Sequence, residues 1–420
     1  MVTSAGGSGE AGGALASFRH RDFRLLWSGA FVSNVGTWIH NTALLWFVKE
    51  TTGTNTWVGA VNMASFLPLF LLVLWSGSLA DRLDRRKMII ATQSAMMLGA
   101  LGMGLCLRAG LSSMGAIIPL TAAMGLAFVF NFPAWRSIIP DLVPPRDMLN
   151  GIALDAAQFN LARCVGPLLG ALVLNLWGAE TAFYVNAASF LAVLAALLLL
   201  RTKTPPVGKA GATGSHILEV LRLAAGEGWA RNQLLLLGVM SFFGLSFLVL
   251  LPGLSRDVLM RGSGGYGALL SAIGAGAAVG APLVTLLRRR LPERAIIKAS
   301  AVVVGLALLG VAVCRVFWLC VVLSVILGTS SLMMSAAINT VLQARVGREM
   351  RGRIMSLYIL VFQGLYPLGG MFLGFMSDRI TIPWTLVLGG SVCTAAGLTV
   401  VLFPSLLRHA VTSARDTQGA

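Results

Sequence analysis

The chain is 420 residues long, 56% hydrophobic and only 11% charged, with a formal net charge of +16. A soluble domain carries about 25% charged residues, so an ordinary water-soluble protein is excluded. A nucleic-acid partner is excluded too, because the basic residues sit in short clusters between apolar blocks rather than on a polar domain.

Residues 1–17 are mostly Gly, Ser and Ala with one acid. They lack the basic start and apolar core of a signal peptide and predict a flexible cytoplasmic tail. After them the apolar blocks begin. A bilayer core needs about 20 apolar residues per helix. Blocks of that kind predict twelve spans, at 24–48, 57–80, 88–108, 114–138, 148–176, 181–200, 232–252, 265–287, 295–314, 317–342, 353–376 and 383–404. The longest polar stretch between them, 201–231, holds Pro205 and Pro206 and five basic residues. It reads as a cytoplasmic linker, with a surface helix around 215–229, between a six-helix bundle at 18–200 and a second at 232–404. Residues 405–420 read as a second cytoplasmic tail.

Charge sets the expected orientation. With the N-terminus inside, the inner segments carry 25 Lys and Arg and the outer segments 6. The positive-inside rule then places both termini in the cytoplasm. Arg163 is the one basic residue left within a span.

Two inner loops repeat. Arg146-Asp147-Met148 with Ile152 recurs as Arg348-Glu349-Met350 with Ile354, and Arg85-Arg86-Lys87 recurs as Arg288-Arg289-Arg290, offsets of 202 and 203. An internal repeat implies two parallel halves with a binding site near the midplane between them. Any two inner loops are basic, so the alternative is a chance match.

Polar residues within the spans are the candidate site. In the first span Asn34, Thr37, Trp38 and Asn41 fall on one helical face, with His40 beside it. Such a stripe avoids lipid, so it makes interhelical bonds or contacts a substrate. His40 titrates near neutral pH and is a second candidate proton site, or a bonded structural group. The fourth span offers Asn131, Pro133 and Trp135. The fifth holds Asp155 and Arg163, eight residues or about 12 Å apart along the helix, too far to pair directly; Arg163 is a further proton-coupling candidate, or has a structural or cavity-lining role. Asp155 is the one carboxylate within a predicted span and the first proton-carrier candidate; alternatively it snorkels toward the inner surface. The tenth span offers Ser335, Asn339 and Gln343, and the eleventh Gln363, Tyr366 and Pro367. Together with Phe132, Phe159 and Phe362 they suit a moderately large amphipathic ligand.

The five cysteines, Cys106, Cys164, Cys314, Cys320 and Cys393, contain no CxxC pair, so neither a disulfide framework nor a zinc site is implied. No G-x-x-x-x-G-K-[ST] phosphate loop and no H-E-x-x-H occurs. An enzyme is not expected, nor a cofactor or metal.

After the second span comes Gly77-Ser78-Leu79-Ala80-Asp81-Arg82-Leu83-Asp84-Arg85-Arg86-Lys87. This resembles the major facilitator superfamily signature G-x-L-A-D-R-x-G-R-R/K, with Asp84 in place of glycine. The acid is similar to the branch of enterobactin-exporter-like and macrolide-efflux-like proteins, the third drug:proton antiporter group. Phe18 to Trp27, Pro140-Asp141-Leu142-Val143-Pro144 and Arg351 to Tyr358 resemble that branch too. The resemblance covers about 18–405. It implies an all-α membrane protein with twelve helices in two pseudo-symmetric six-helix bundles, in a bacterial cytoplasmic membrane. It implies that Gly77, Asp81, Arg82, Asp84, Arg85 and Arg86 form a charge latch between the halves, against the plainer alternative of loop anchoring. Gly166-Pro167-Leu168-Leu169-Gly170 resembles the antiporter motif G-P-x-x-G-G, with Ala162 and Ala171 where the pattern has glycine. In the family that patch is implied to seal the periplasmic side; ordinary small-residue packing is the alternative.

The expectation is therefore a secondary transporter, driven by a proton gradient and exporting a small amphipathic compound such as a drug, siderophore or secondary metabolite. Its partners would be that compound and the lipid bilayer, with the chain a monomer. Lipid or lysolipid movement, proton-coupled uptake, and a non-transporting sensor or scaffold are the alternatives.

Overall fold

In a lipid interior every backbone N–H and C=O must be paired within the chain, so long apolar runs become helices. A computed structural model of the chain describes residues 15–202, 228–346 and 348–407, with backbone alone at 73–82, 348–350 and 353. Twelve long helices run through them: α1 (Arg21–Thr52), α2 (Asn55–Arg82), α3 (Arg85–Arg108), α4 (Met114–Leu142), α5 (148–177), α6 (179–199), α7 (Gly228–Val258), α8 (Gly262–Leu287), α9 (Glu293–Val313), α10 (Phe317–Arg345), α11 (348–380) and α12 (Ile382–Leu402). Eleven are long and apolar enough to cross a membrane, α5 and α6 as one run. The polar stripe of α1 keeps it below that mark although it is 32 residues long.

The run Met148–Leu199 turns back at Gly178, whose φ of 80° and ψ of 176° only glycine adopts without cost. That one residue separates α5 from α6. Elsewhere the expected boundaries shift by a few residues. α7 begins at Gly228, with Trp229 and Ala230 already buried, rather than at 232. Residues 15–17, expected in the tail, dock on the start of α5: the Ser17 amide donates to Asn150 Oδ1 at 2.9 Å. Residues 404–407 form a closing turn, and Asn232 donates to the Leu406 carbonyl at 2.9 Å. Residues 1–14, 203–227 and 408–420 lie outside the described residues, and with them most of the linker and its expected surface helix.

Helices α1–α6 pack together, as do α7–α12. Gly166 and Gly170 let α5 approach α1, whose Trp38, Ile39 and Thr42 fill the space a side chain would take. Gly276 and Gly328 do the same between α8 and α10, and Gly305 and Gly397 between α9 and α12. Small residues at crossings permit the close van der Waals contact that holds helices together in lipid.

One departure from regular helix was not expected. α7 contains π turns at Met240–Leu245 and Leu254–Val258, and α11 one at Leu360–Gly364. A π turn leaves carbonyls without their usual partners and often marks a functional position. Two serines of α7 supply hydrogens across the gap. Ser241 Oγ donates to the Phe362 carbonyl at 2.6 Å, and Ser246 Oγ lies 2.7 Å from the Tyr366 carbonyl and 2.9 Å from that of Ser241.

Candidate functional site

The two halves meet along two crossings, α5 with α8 and α2 with α11. At the first, Gly267 lies against the Pro167 carbonyl and Ala171, and Gly274 against Arg163. At the second, Gly59 faces Gly370, Gly374 faces Asn55, and Gly364 faces Phe70. At Gly59, Gly274 and Gly374 backbone meets backbone, while Gly364 makes room for the Phe70 ring. Gly166, Pro167 and Gly170 thus pack α5 on α1 with one face and on α8 with the other.

The bundle has a basic end, where α1 begins, and an opposite end, where α1 stops. The following hydrogen bonds and ion pairs join the halves at the opposite end and at mid-height. Lys49 Nζ of α1 pairs with Asp257 of α7 at 2.8 Å and is itself only 3% exposed. Arg256 donates to the Lys49 carbonyl at 3.0 Å. Ser263 Oγ donates to Asn175 Oδ1. Asp378, at the end of α11, accepts from the amides of Asn55 and Thr56 at 2.9 and 2.8 Å and from the Thr56 hydroxyl at 2.6 Å. At mid-height the Tyr366 hydroxyl donates to Asn62 Oδ1 at 3.0 Å, and Phe66 packs edge-on against the Tyr366 ring.

The basic end differs. Arg85 binds Asp141 at 2.6 Å and the Ser137 carbonyl at 2.8 Å, both on α4. Arg86 binds the Leu198 and Leu200 carbonyls at the end of α6, where a cation suits the helix dipole. Asp84 caps α3 by accepting from the Lys87 amide at 3.0 Å. Asp22 accepts from the Arg201 and Thr202 amides and the Thr202 hydroxyl. Burial alone would raise the Asp22 carboxyl; the hydrogen bonds from Thr202, Arg201 and Arg21 outweigh it and hold the group below the ordinary carboxylate value. Of the expected latch, Arg85 and Arg86 bind their own half in this conformation. The side chains of Gly77, Asp81 and Arg82 lie outside the described residues, as do those of Arg348, Glu349 and Met350 in the loop repeat.

Within the helices, Asp155 accepts from Trp135 Nε1 at 3.1 Å and Gln158 Nε2 at 3.3 Å, and Gln158 Oε1 accepts from Asn34 at 3.1 Å. One chain of bonds therefore joins α1, α5 and α4, running through Asp155. Two turns farther along α5, the Arg163 guanidinium lies over the Trp38 ring at 5.9 Å, and Phe159 packs edge-on against the same ring. Asn41 lies exposed on the same stripe, one turn beyond Trp38. Arg163 alone from the first half faces a cavity of about 40 Å³ walled by Phe247, Ile273, Leu327, Ser331, Ser335 and Phe362 of the second.

Other expected residues fall elsewhere. Asn131 is buried and donates to Thr92 of α3 at 2.9 Å, so it ties two helices of the first half and does not line the seam. Phe132 packs on Phe128 and carries Arg136 over its ring at 5.2 Å, also within the first half. His40 is buried 4.7 Å from the Phe183 ring, among the core residues of the first half. Asn339 accepts from Gln343 at 2.6 Å toward the basic end of α10, and Gln363 lies in the π turn of α11. The sequence reading missed Asn62, Lys49, Asp257 and Asp378. Asn62, a polar residue in an apolar span, carried a visible signal; the other three depend on pairings across more than 200 residues. A larger cavity of about 610 Å³ opens at the opposite end, with Trp46, Phe47, Glu50, Asn175, Glu180 and Ser263 in its walls.

Comparison with known proteins agrees with this fold. Residues 12–417 match the family model described as transmembrane secretion effector. The staphyloferrin A transporter of Staphylococcus aureus is 24% identical over 374 residues, covering 87% of this chain and 92% of that protein. The multidrug efflux pump Tap of Mycobacterium tuberculosis is 25% identical over 397 residues, covering 91% and 93%. Among solved structures, a POT family transporter in complex with a thioalcohol-conjugated peptide superposes with a TM-score of 0.77 at 12% identity, covering 92% of this chain and 97% of that one.

Proposed function

Because the chain belongs to the transmembrane secretion effector family of the major facilitator superfamily, and is a multi-pass membrane transporter rather than an enzyme, we propose that it exports a small organic compound by alternating access, in exchange for protons. The observation that carries this reading is the placement of the cross-half bonds. The halves hold each other at the opposite end and at mid-height, while Arg85 and Arg86 of the basic end bind within their own half. Such a molecule admits cargo from the basic end. Rocking about the glycine crossings would break the opposite-end bonds and close the basic end, moving the site past the seal.

Positive residues gather at the end that admits cargo, so the reading places that end and both termini in the cytoplasm of a bacterial inner membrane. Movement through the seam is then outward, as the names of the two efflux and siderophore relatives suggest for cargo chemistry. Asp155 is the proposed proton carrier. It sits two turns from Arg163 and shares its bond network with the α1 stripe, so a proton on Asp155 would change how α1, α4 and α5 bond.

The test is untargeted mass spectrometry of cells and medium, with and without the chain, and again with a proton uncoupler. Compounds that reach the medium only with the chain, and stop with the uncoupler, support export by proton exchange. Accumulation inside the cells instead would reverse the direction. Asp155→Asn should then abolish ΔpH-driven transport and leave binding intact.

A further inference from the structure

Arg163 is the one charged residue at mid-height of the seam with no described acid to answer it. Its Nε is buried without a hydrogen-bond partner, and the guanidinium makes no hydrogen bond to any described residue. The other described acids sit near helix ends, and Asp155, the exception, is committed to Trp135 and Gln158. Trp38 covers a face of the guanidinium, which leaves the planar fork of donors at its edge. The stem is fixed as well: a Cβ at Gly274 would fall 2.7 Å from the Arg163 carbonyl oxygen, so α8 packs directly on this turn of α5. The walls of the adjoining cavity supply aromatic and aliphatic surface, and the hydroxyls of Ser331 and Ser335 are its polar groups. A cation held in such a place costs several kcal/mol unless an anion joins it.

We infer that Arg163 is the anchor for an acidic group on the cargo, and that the cargo class is an amphipathic compound bearing a carboxylate or other oxyanion. This inference rests on the reading of the seam as the transport path. A planar carboxylate accepts two parallel bonds from the Arg163 fork, while the apolar body lies against Trp38, Phe159 and Phe362. The pairing removes the penalty of the lone cation when cargo occupies the seam, which favours the cargo-loaded state over the empty one. Neutral and cationic amphipaths of the same shape gain nothing there.

Purified full-length chain in detergent tests this by calorimetric titration, at neutral pH, with 2-naphthoate, its neutral isostere 2-naphthamide and the cation 2-naphthylmethylammonium. Naphthoate should bind about tenfold or more tightly than the amide, and the ammonium more weakly still. Arg163→Gln should erase that preference, and Arg163→Lys should keep part of it. Equal affinity for the three probes, undetectable binding of naphthoate at millimolar concentration, or an unchanged preference in Arg163→Gln overturns the assignment. Chloride or inorganic phosphate displacing naphthoate at equal concentration would make Arg163 an inorganic-anion site and overturn it too. The titration needs no gradient: a chain that selects naphthoate but exports nothing refutes the transport reading alone, and one that exports without selecting refutes only the anchor.

Discussion

The two ends of the helix bundle use the same chemistry for opposite purposes. At the basic end Arg85–Asp141, Arg86 on the α6 carbonyls and Asp22 on residues 201–202 fasten the first half to itself. At the opposite end Lys49–Asp257, Asp378 on α2 and Asn175–Ser263 fasten one half to the other. An ion pair within a body makes the body rigid. An ion pair between two bodies makes a bond that motion can break. The comparison teaches that the position of a polar contact relative to the seam decides whether it contributes stability or conformational bias.

The largest expected effect comes from blocking the opposite end. A Cβ at Gly59 would fall 2.8 Å from the Gly370 carbonyl and 2.9 Å from the Met371 Cα, and backbone cannot step aside. Gly59→Val should push the halves apart. Overpacking costs roughly 1–3 kcal/mol, so labelling of Ser263→Cys by an impermeant maleimide, in a chain without its native cysteines, should rise up to about a hundredfold. An unchanged rate would show that α2 and α11 do not close this end.

Asp378→Ala removes three cross-half hydrogen bonds at once. It should raise the same labelling rate about tenfold with little loss of thermal stability. Lys49→Met should act in the same direction by a smaller factor. With Asp257→Asn its effect should be non-additive in a double-mutant cycle, because both changes break one pair.

Arg85→Ala makes the converse prediction. It leaves Asp141 and the Ser137 carbonyl without their partner, so the midpoint of thermal unfolding should fall by a few degrees while maleimide labelling stays as it was. A rise in labelling would mean that the basic end also sets the conformational balance.

Acid provides the smallest effect. Asp22 has a carboxyl held below its usual value, so its contribution is complete above the ordinary carboxylate pKa of about 4 and is lost as pH falls through the lowered value. Thermal unfolding of the native chain should therefore lose more stability on acidification below pH ~4 than that of Asp22→Asn.

Much of this was legible in the chain itself. Hydrophobic blocks mark the helices because lipid leaves the backbone no alternative. The α1 stripe, Asp155 and Arg163 stand out because polar groups are costly among apolar ones. Lys49 and Asp257 did not stand out, because each lies at a helix end where charge is ordinary, and their pairing spans 208 positions. Asn131 misled for a related reason: a polar residue in a span signals a partner, and the partner was Thr92 on a neighbouring helix. Ser241 and Ser246 gave no sign of π turns, since those depend on which carbonyls of α11 lie alongside.

The start of α2 is finished by a residue 322 positions away. Thr54, placed to cap it, has a buried hydroxyl with no partner, and Asp378 of the other half takes the two first amides instead. Each parting of the opposite end hands those amides to water. Asn55 and Thr56 therefore carry a clock: their deuterium uptake counts openings of that end, and cargo that slows or hastens the cycle should change the uptake at these two positions first.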